Sequence, residues 1–259
     1  YTTRQLRQLV EDCTTLAVHE GAIWEQEGRW FDGLRPGIEP QGFVDRNAVL
    51  LHRRSHLRRV REMFRKANLF VFTLGLTEAW QDIGTGIVFP TVPGTVAGTF
   101  DSAQHAFVNF GVLDVISDLE AIIDCVKTLN RGIQFLFTVS PVSLVATASG
   151  FHVSQATAYS KSVLRTAAGE VVRKTACADY FPSYEIITSP MFRSQFLAPN
   201  CRAVTPEGVD TVMAAFFAAY PDLVAQSSEN VVRPDFTTPE PEDDDLMCEE
   251  ILLQGFAAS

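Results

Sequence analysis

Residues 3–18 place Leu6, Leu9, Val10, Cys13 and Ala17 on one face of a helix, with polar residues between them. Residues 21–45 lose that period. They are rich in Gly, Pro and Trp and read as a long ordered loop or a small ribbon. The clearest amphipathic pattern spans 46–66, where Val49, Leu50, Leu57, Val60 and Phe64 recur at helical spacings. Arg53, Arg54, Arg58, Arg59, Arg61 and Arg65 are assigned to the opposite face. Asn68 breaks the pattern, and Leu69-Phe70-Val71-Phe72-Thr73-Leu74-Gly75 follows as a continuous apolar run of strand length. Such a run predicts a strand covered on both faces. Residues 76–111 contain five Gly and two Pro and read as an irregular excursion. Excursions of this length are uncommon in compact domains and are often functional.

The second half repeats the alternation. Residues 112–129 are helical, with Val112, Val115, Ile116, Leu119, Ile122, Ile123 and Val126 as the buried stripe. Ile133–Val139 is a second buried strand, stopped by Ser140-Pro141. Residues 157–175 form a third helix with Val163, Leu164, Ala167 and Val171 inward, and Ala178–Phe181 a short strand ending at Pro182. Thr205 and Pro206 supply the N-cap and first turn of a last helix that runs to about Tyr220. Strands alternating with helices predict an α/β fold, a mostly parallel sheet with helices on both faces. Ligands bind beyond the C-terminal ends of such strands. Gly75-Leu76-Thr77-Glu78 and Ser140-Pro141-Val142-Ser143 both land there.

Charge changes one part of this picture. The net charge is −10, but eight acids and no Lys or Arg fall between Asp235 and Glu250, and without them it would be −2. The body is nearly neutral, and residues 233–259 read as an acidic disordered tail after a domain over 1–232. No broad basic surface calls for nucleic acid. The basic face of 46–66 reads as a solvated face rather than an anion-binding helix, since no aromatic interleaving accompanies it. No apolar run reaches the roughly 18 residues of a membrane span. Cys13, Cys125, Cys177, Cys201 and Cys248 are odd in number and widely spaced. They read as reduced thiols, which points to a reducing, cytoplasmic compartment. The chain opens on Tyr1 inside a helical pattern, so a preceding segment is expected.

Several motifs are missing. There is no Gly-x-Gly-x-x-Gly after a strand, no phosphate-binding loop and no Gly-x-Ser-x-Gly elbow. Tyr159-Ser160-Lys161 lacks the spacing of a Tyr/Lys oxidoreductase pair. His52 and His56 lie four apart on a helix, but Arg53 stands where a zinc protease has Glu, and the neighbouring arginines repel a cation. No metal and no cofactor is expected. His152 follows the second strand and precedes the third helix; it is either a general base or a loop histidine bonded to backbone. His105 is a weaker candidate. Glu78 either orients a histidine or caps a turn, and Thr77 either donates to an oxyanion or caps.

These residues carry a resemblance. Phe72–Trp80, His105–Gly111, Thr138–Val142, Tyr159–Arg165 and Tyr180–Ile186, five motifs in order, resemble the hallmarks of the GSCFA-domain family over roughly Tyr1 to Tyr220. That family is similar to the SGNH (GDSL-like) esterases and acyltransferases. The resemblance implies a three-layer α/β/α fold with its first strand missing here, and acyl-ester chemistry. It puts Gly75-Leu76-Thr77-Glu78 in the place of a Gly-x-Asn-Asp oxyanion block, with Thr for Asn and Glu for Asp. The family's Gly-Ser-Cys-Phe-Ala motif, carrying the candidate nucleophile, would lie upstream of Tyr1, and the usual C-terminal Asp-x-x-His is absent, with Asn200-Cys201-Arg202-Ala203 in its region. By elimination His152 becomes the candidate base, with Glu78, Thr77 and Gly75 beside it, while Trp80, Ser140 and Ser143 would contact substrate. The expected activity is esterase or acyltransferase chemistry on an acylated glycan, lipid-linked group or small molecule. The rival is a non-catalytic glycan- or protein-binding domain on the same fold.

Overall fold

A computed structural model describes residues 1–221. The expected acidic tail lies outside the described residues. Helix α1 (Thr3–Thr15) opens on a capping box: Thr2 accepts from the Gln5 N–H, and the Gln5 side chain accepts from the Thr2 N–H. The Gly- and Trp-rich stretch after it is a ribbon of β1 (Ile23–Gln26) and β2 (Arg29–Asp32). Its two-residue turn, Glu27-Gly28, has positive φ at both positions, as a primed hairpin turn requires.

Helix α2 (Arg46–Lys66) is capped by Asp45 and occupies the span its periodicity predicts. One assignment on it is corrected. Arg53 belongs to the buried face with Val49, Leu57 and Phe64, and is 4% exposed. It lies four residues from Val49 and from Leu57, so it points the same way they do. Its guanidinium bonds Asp12 on α1 at 2.9 Å and lies 3.7 Å from Asp32 on β2.

Strand β3 (Leu69–Leu74) leads into a second small sheet made of β4 (Glu78–Asp82), β5 (Val88–Phe89) and β6 (His105–Asn109), antiparallel in the order β5-β4-β6. The expected irregular excursion is therefore partly regular. Its glycines lie between or just after these strands, and Trp80 pairs across them with Phe89 and Phe107. Helix α3 (Val112–Leu129), strand β7 (Gln134–Val139), helix α4 (Val153–Lys174), strand β8 (Ala178–Tyr180), helix α5 (Ser183–Thr188) and helix α6 (Pro206–Ala219) complete the chain. Thr205 caps α6 as expected.

The α/β class holds. β3, β7 and β8 form a parallel sheet in that order, with Leu69 opposite Gln134 and Leu74 opposite Val139. Phe135, Phe137 and Val139 on one face of β7 join a core with residues of α1, α2, α3 and α4. Thr138 turns the other way and meets Ser183 at the start of α5. Helices thus pack on both sides of the central strand. β3 departs from expectation: it is an edge of this sheet, and Val71 is 48% exposed. An apolar run fixes strand type but cannot distinguish a centre from an edge. Cys13, Cys125, Cys177 and Cys201 are free thiols, the first pushed up to about 11 by burial; Cys248 lies outside the described residues. Among the described residues no helix is long and apolar enough to cross a membrane.

Candidate functional site

The ends of β3 and β7 release two loops on the same side of the sheet. After Leu74 the chain turns through Gly75-Leu76-Thr77 into β4, and after Val139 it runs through Ser140–Phe151 to α4. The two loops face each other across a cleft of about 560 Å³, within the size range of small-molecule sites. Gly75, Leu76, Glu78, Trp80, Ser140, Ser143, Thr147, Lys161 and Arg202 all line it.

Helix α4 holds the β3–β4 turn in place. Its consecutive residues Ser160 and Lys161 are 0% and 2% exposed. Ser160 Oγ accepts from the Thr77 N–H at 3.0 Å, and Lys161 Nζ donates to the Gly75 carbonyl at 2.7 Å. A Cβ at Gly75 would lie 3.1 Å from the Tyr1 carbonyl oxygen, a tight approach that the start of the chain would have to yield to. Thr77 is fully buried and its hydroxyl donates to Asn109 Oδ1 at 2.7 Å. That bond commits Thr77 to tying β4 to β6 rather than to an oxyanion.

Glu78 is buried at the head of β4 and accepts from Thr147 Oγ1 at 2.7 Å. Burial pushes its carboxyl above the usual range, while the bonds from Thr147 and the Ala148 backbone pull it back. Ser140 lines the cleft, its Oγ accepting from the Val142 N–H at 3.2 Å. Ser143 contributes its carbonyl, which accepts from Arg202 Nε at 2.9 Å. Trp80 stands in the wall, edge-on to Phe100 and Phe107. Burial, with Arg202 nearby, lowers the Lys161 ammonium to about 8.

His152, like Thr77, is a sequence-derived candidate that the cleft lining does not include. Its ring is exposed, it is the N-cap of α4, and Nδ1 meets the Ser154 N–H at 3.3 Å and the Ser154 hydroxyl at 2.8 Å. This is the backbone-bonded loop histidine, so the pairing of His152 with Glu78 does not form. His105 pairs opposite Asp82 in the small sheet and takes the Asp101 N–H on Nδ1, also outside the lining. Replacing His152 by Ala is expected to cost about 0.5–1 kcal/mol, the worth of a helix cap, and to leave ligand binding unchanged. Urea denaturation beside a ligand titration checks this; a large functional loss at unchanged stability would return His152 to the site.

Sequence reasoning missed Lys161, Arg202, Thr147 and Ser160. Lys161 had a usable signal: it lies three residues before Leu164 and seven before Ala168, on the buried stripe of α4. Arg202 lies in the segment that the resemblance sets in the region of the family's Asp-x-x-His, but only the folded chain brings it beside Ser143. No group of three or more His, Cys, Asp or Glu able to hold a metal occurs among the described residues.

The GSCFA family profile matches residues 1–216, which includes every residue of this cleft. The chain belongs to the GSCFA family. Neither the curated proteins nor the solved structures yielded a match to it. In this GSCFA chain the family match spans both strand-end loops, the α4 brace and Arg202.

Proposed function

We propose that the cleft binds an acylated glycan, lipid-linked or small-molecule substrate and that acyl-ester hydrolysis or transfer takes place at its floor. The nucleophile is supplied by residues preceding Tyr1, in an SGNH-like arrangement. The observation that carries this reading is the convergence of two parallel-strand ends on one cleft with Lys161 buried at the Gly75 turn. Attack on an ester carbonyl places negative charge on its oxygen, and fixed positive charge in a poorly hydrated cleft lowers that barrier. An ammonium has three donors, of which one meets Gly75. Lys161 supplies the field, Ser140 a hydroxyl, and Trp80 a flat apolar wall.

The rival, a binding domain without turnover, is favoured by a different observation: none of the five histidines lines the cleft. The experiment compares aryl acetate hydrolysis by residues 1–259 and by the protein with the residues that naturally precede Tyr1. The shorter chain is expected to show none above background. The longer one is expected to turn over, and Lys161→Met to lower kcat/KM by about a hundredfold. Turnover by neither, or full activity in Lys161→Met, would decide against the esterase reading.

A further inference from the structure

Lys161 is almost completely enclosed, yet its partner among the described residues is a neutral carbonyl. Burying an ammonium without an opposite charge is costly, and proteins retain such groups where a counter-charge arrives. The carboxylate that lines the same cleft, Glu78, is engaged by Thr147 and by the Ala148 backbone. Arg202 adds a second cation close enough to repel Lys161. The Lys161 ammonium therefore has no carboxylate partner among the described residues, in a body that is nearly neutral once the acids of 235–250 are set apart. Its walls are apolar and aromatic, with Trp80, Phe89, Phe107 and Leu144 among them. Thr91 adds a buried hydroxyl that no described group satisfies.

We propose that the cleft recognises an acidic ligand, with a carboxylate or phosphate against the Lys161 ammonium and an apolar body along Trp80, Phe89 and Phe107. This deepens the preceding reading by naming a substrate class, and it rests on the cleft being the ligand site but not on turnover. Charge-assisted hydrogen bonds are about twice as strong as neutral ones, and here they form in an enclosed setting. An uncharged isostere leaves the ammonium uncompensated and binds more weakly.

Calorimetric titration tests this with 4-phenylbutyrate, phenyl phosphate and the neutral 4-phenylbutyramide at pH 7. At least one of the acids is expected to bind about tenfold or more tighter than the amide. The acid that does so identifies the anion. Lys161→Met is expected to bring acid and amide within about twofold of each other, and Lys161→Arg to retain a preference for the acid. Equal binding of amide and acids, no binding of either acid at millimolar concentration, or a preference that survives Lys161→Met would overturn the proposal. The comparison on the unmodified protein decides the matter even if a variant fails to fold. Equal binding of acid and amide by the unmodified protein, with ester turnover intact in the longer chain, sinks this inference alone. An acid preference without turnover sinks only the esterase reading.

Discussion

Lys161→Met is expected to make the protein more stable at pH 7, by about 2 kcal/mol. Burial and the nearby Arg202 lower the Lys161 ammonium to about 8, from the 10.5 of a free lysine. A lowered value means that the folded state disfavours the charged form. The penalty scales at about 1.4 kcal/mol per pH unit, roughly 3 kcal/mol in all. Methionine fills a similar volume without charge but leaves the Gly75 carbonyl short of a donor, which costs about 1 kcal/mol. The sign with pH follows. Below about 8 both states hold the proton and the penalty is complete. Between about 8 and 10.5 the unfolded chain holds more protons than the folded one, so the unmodified protein gains stability as pH rises. Above 10.5 the penalty is gone. Urea unfolding of both proteins from pH 6.5 to 10.5 reads this directly, and the difference between the two curves isolates Lys161. A variant less stable than its parent at pH 7, or two parallel curves, would show that the ammonium is well compensated where it lies. A residue that destabilises the fold and yet lines the cleft fits a role in ligand chemistry rather than in packing.

Arg53→Ala is expected to have the opposite effect, a loss of about 3–5 kcal/mol. Arg53 joins three elements, bonding Asp12 of α1 and lying against Asp32 of β2 from its place on α2. Both carboxylates are buried, and Asp12 also holds His19 at 2.7 Å. Removing the guanidinium strips a shared cation from two buried carboxylates, leaving Asp12 with His19 and Asp32 with the more distant Arg35. Changes at the exposed Arg58 or Arg59 on the same helix are expected to stay within about 0.5 kcal/mol. Thermal unfolding of the three single variants separates the cases. The combination of Arg53→Met with Asp12→Asn should cost less than Arg53→Ala alone, because it removes charge from both sides of the pair. Equal, small effects at all three arginines would show the helix face to be solvated throughout.

These two residues also mark where reading the sequence succeeds and where it stops. Periodicity located α2, α3, β3, β7 and α6 closely, because each buries a stripe whose spacing is imposed by its own backbone. It grouped Arg53 with the outward arginines because residue type outweighed position; the spacing from Val49 to Leu57 carried the correct answer. The small sheet was hidden for a different reason. Its strands are short and its connections are rich in Gly, so turn residues dominated the composition of 76–111. For the site, the strand-end rule led to Gly75, Glu78, Ser140 and Ser143, and the resemblance to Trp80; all of them line the cleft. It failed at His152 and Thr77, since a histidine or threonine in a loop beyond a strand end has the same local sequence whether it bonds within the fold or faces a ligand. The path of the connecting loop decides between them, and that path depends on contacts such as Thr157 with Leu144 and Thr147 with Glu78.

The brace formed by Ser160 and Lys161 fixes which changes of length this molecule can absorb. The pair is keyed to the core through Leu164, Ala167, Ala168 and Val171, further along the same rod of helix. One residue gained or lost between Lys161 and Leu164 would swing both side chains by about 100° around the axis. The Thr77 amide and the Gly75 carbonyl would lose their partners together. A residue gained in an exposed stretch, such as the turn at Gly84, has no comparable lever. Related chains should therefore vary in loop length while the interval from Ser160 to Val171 stays constant, as the distance between two teeth of a key does when its handle is recast.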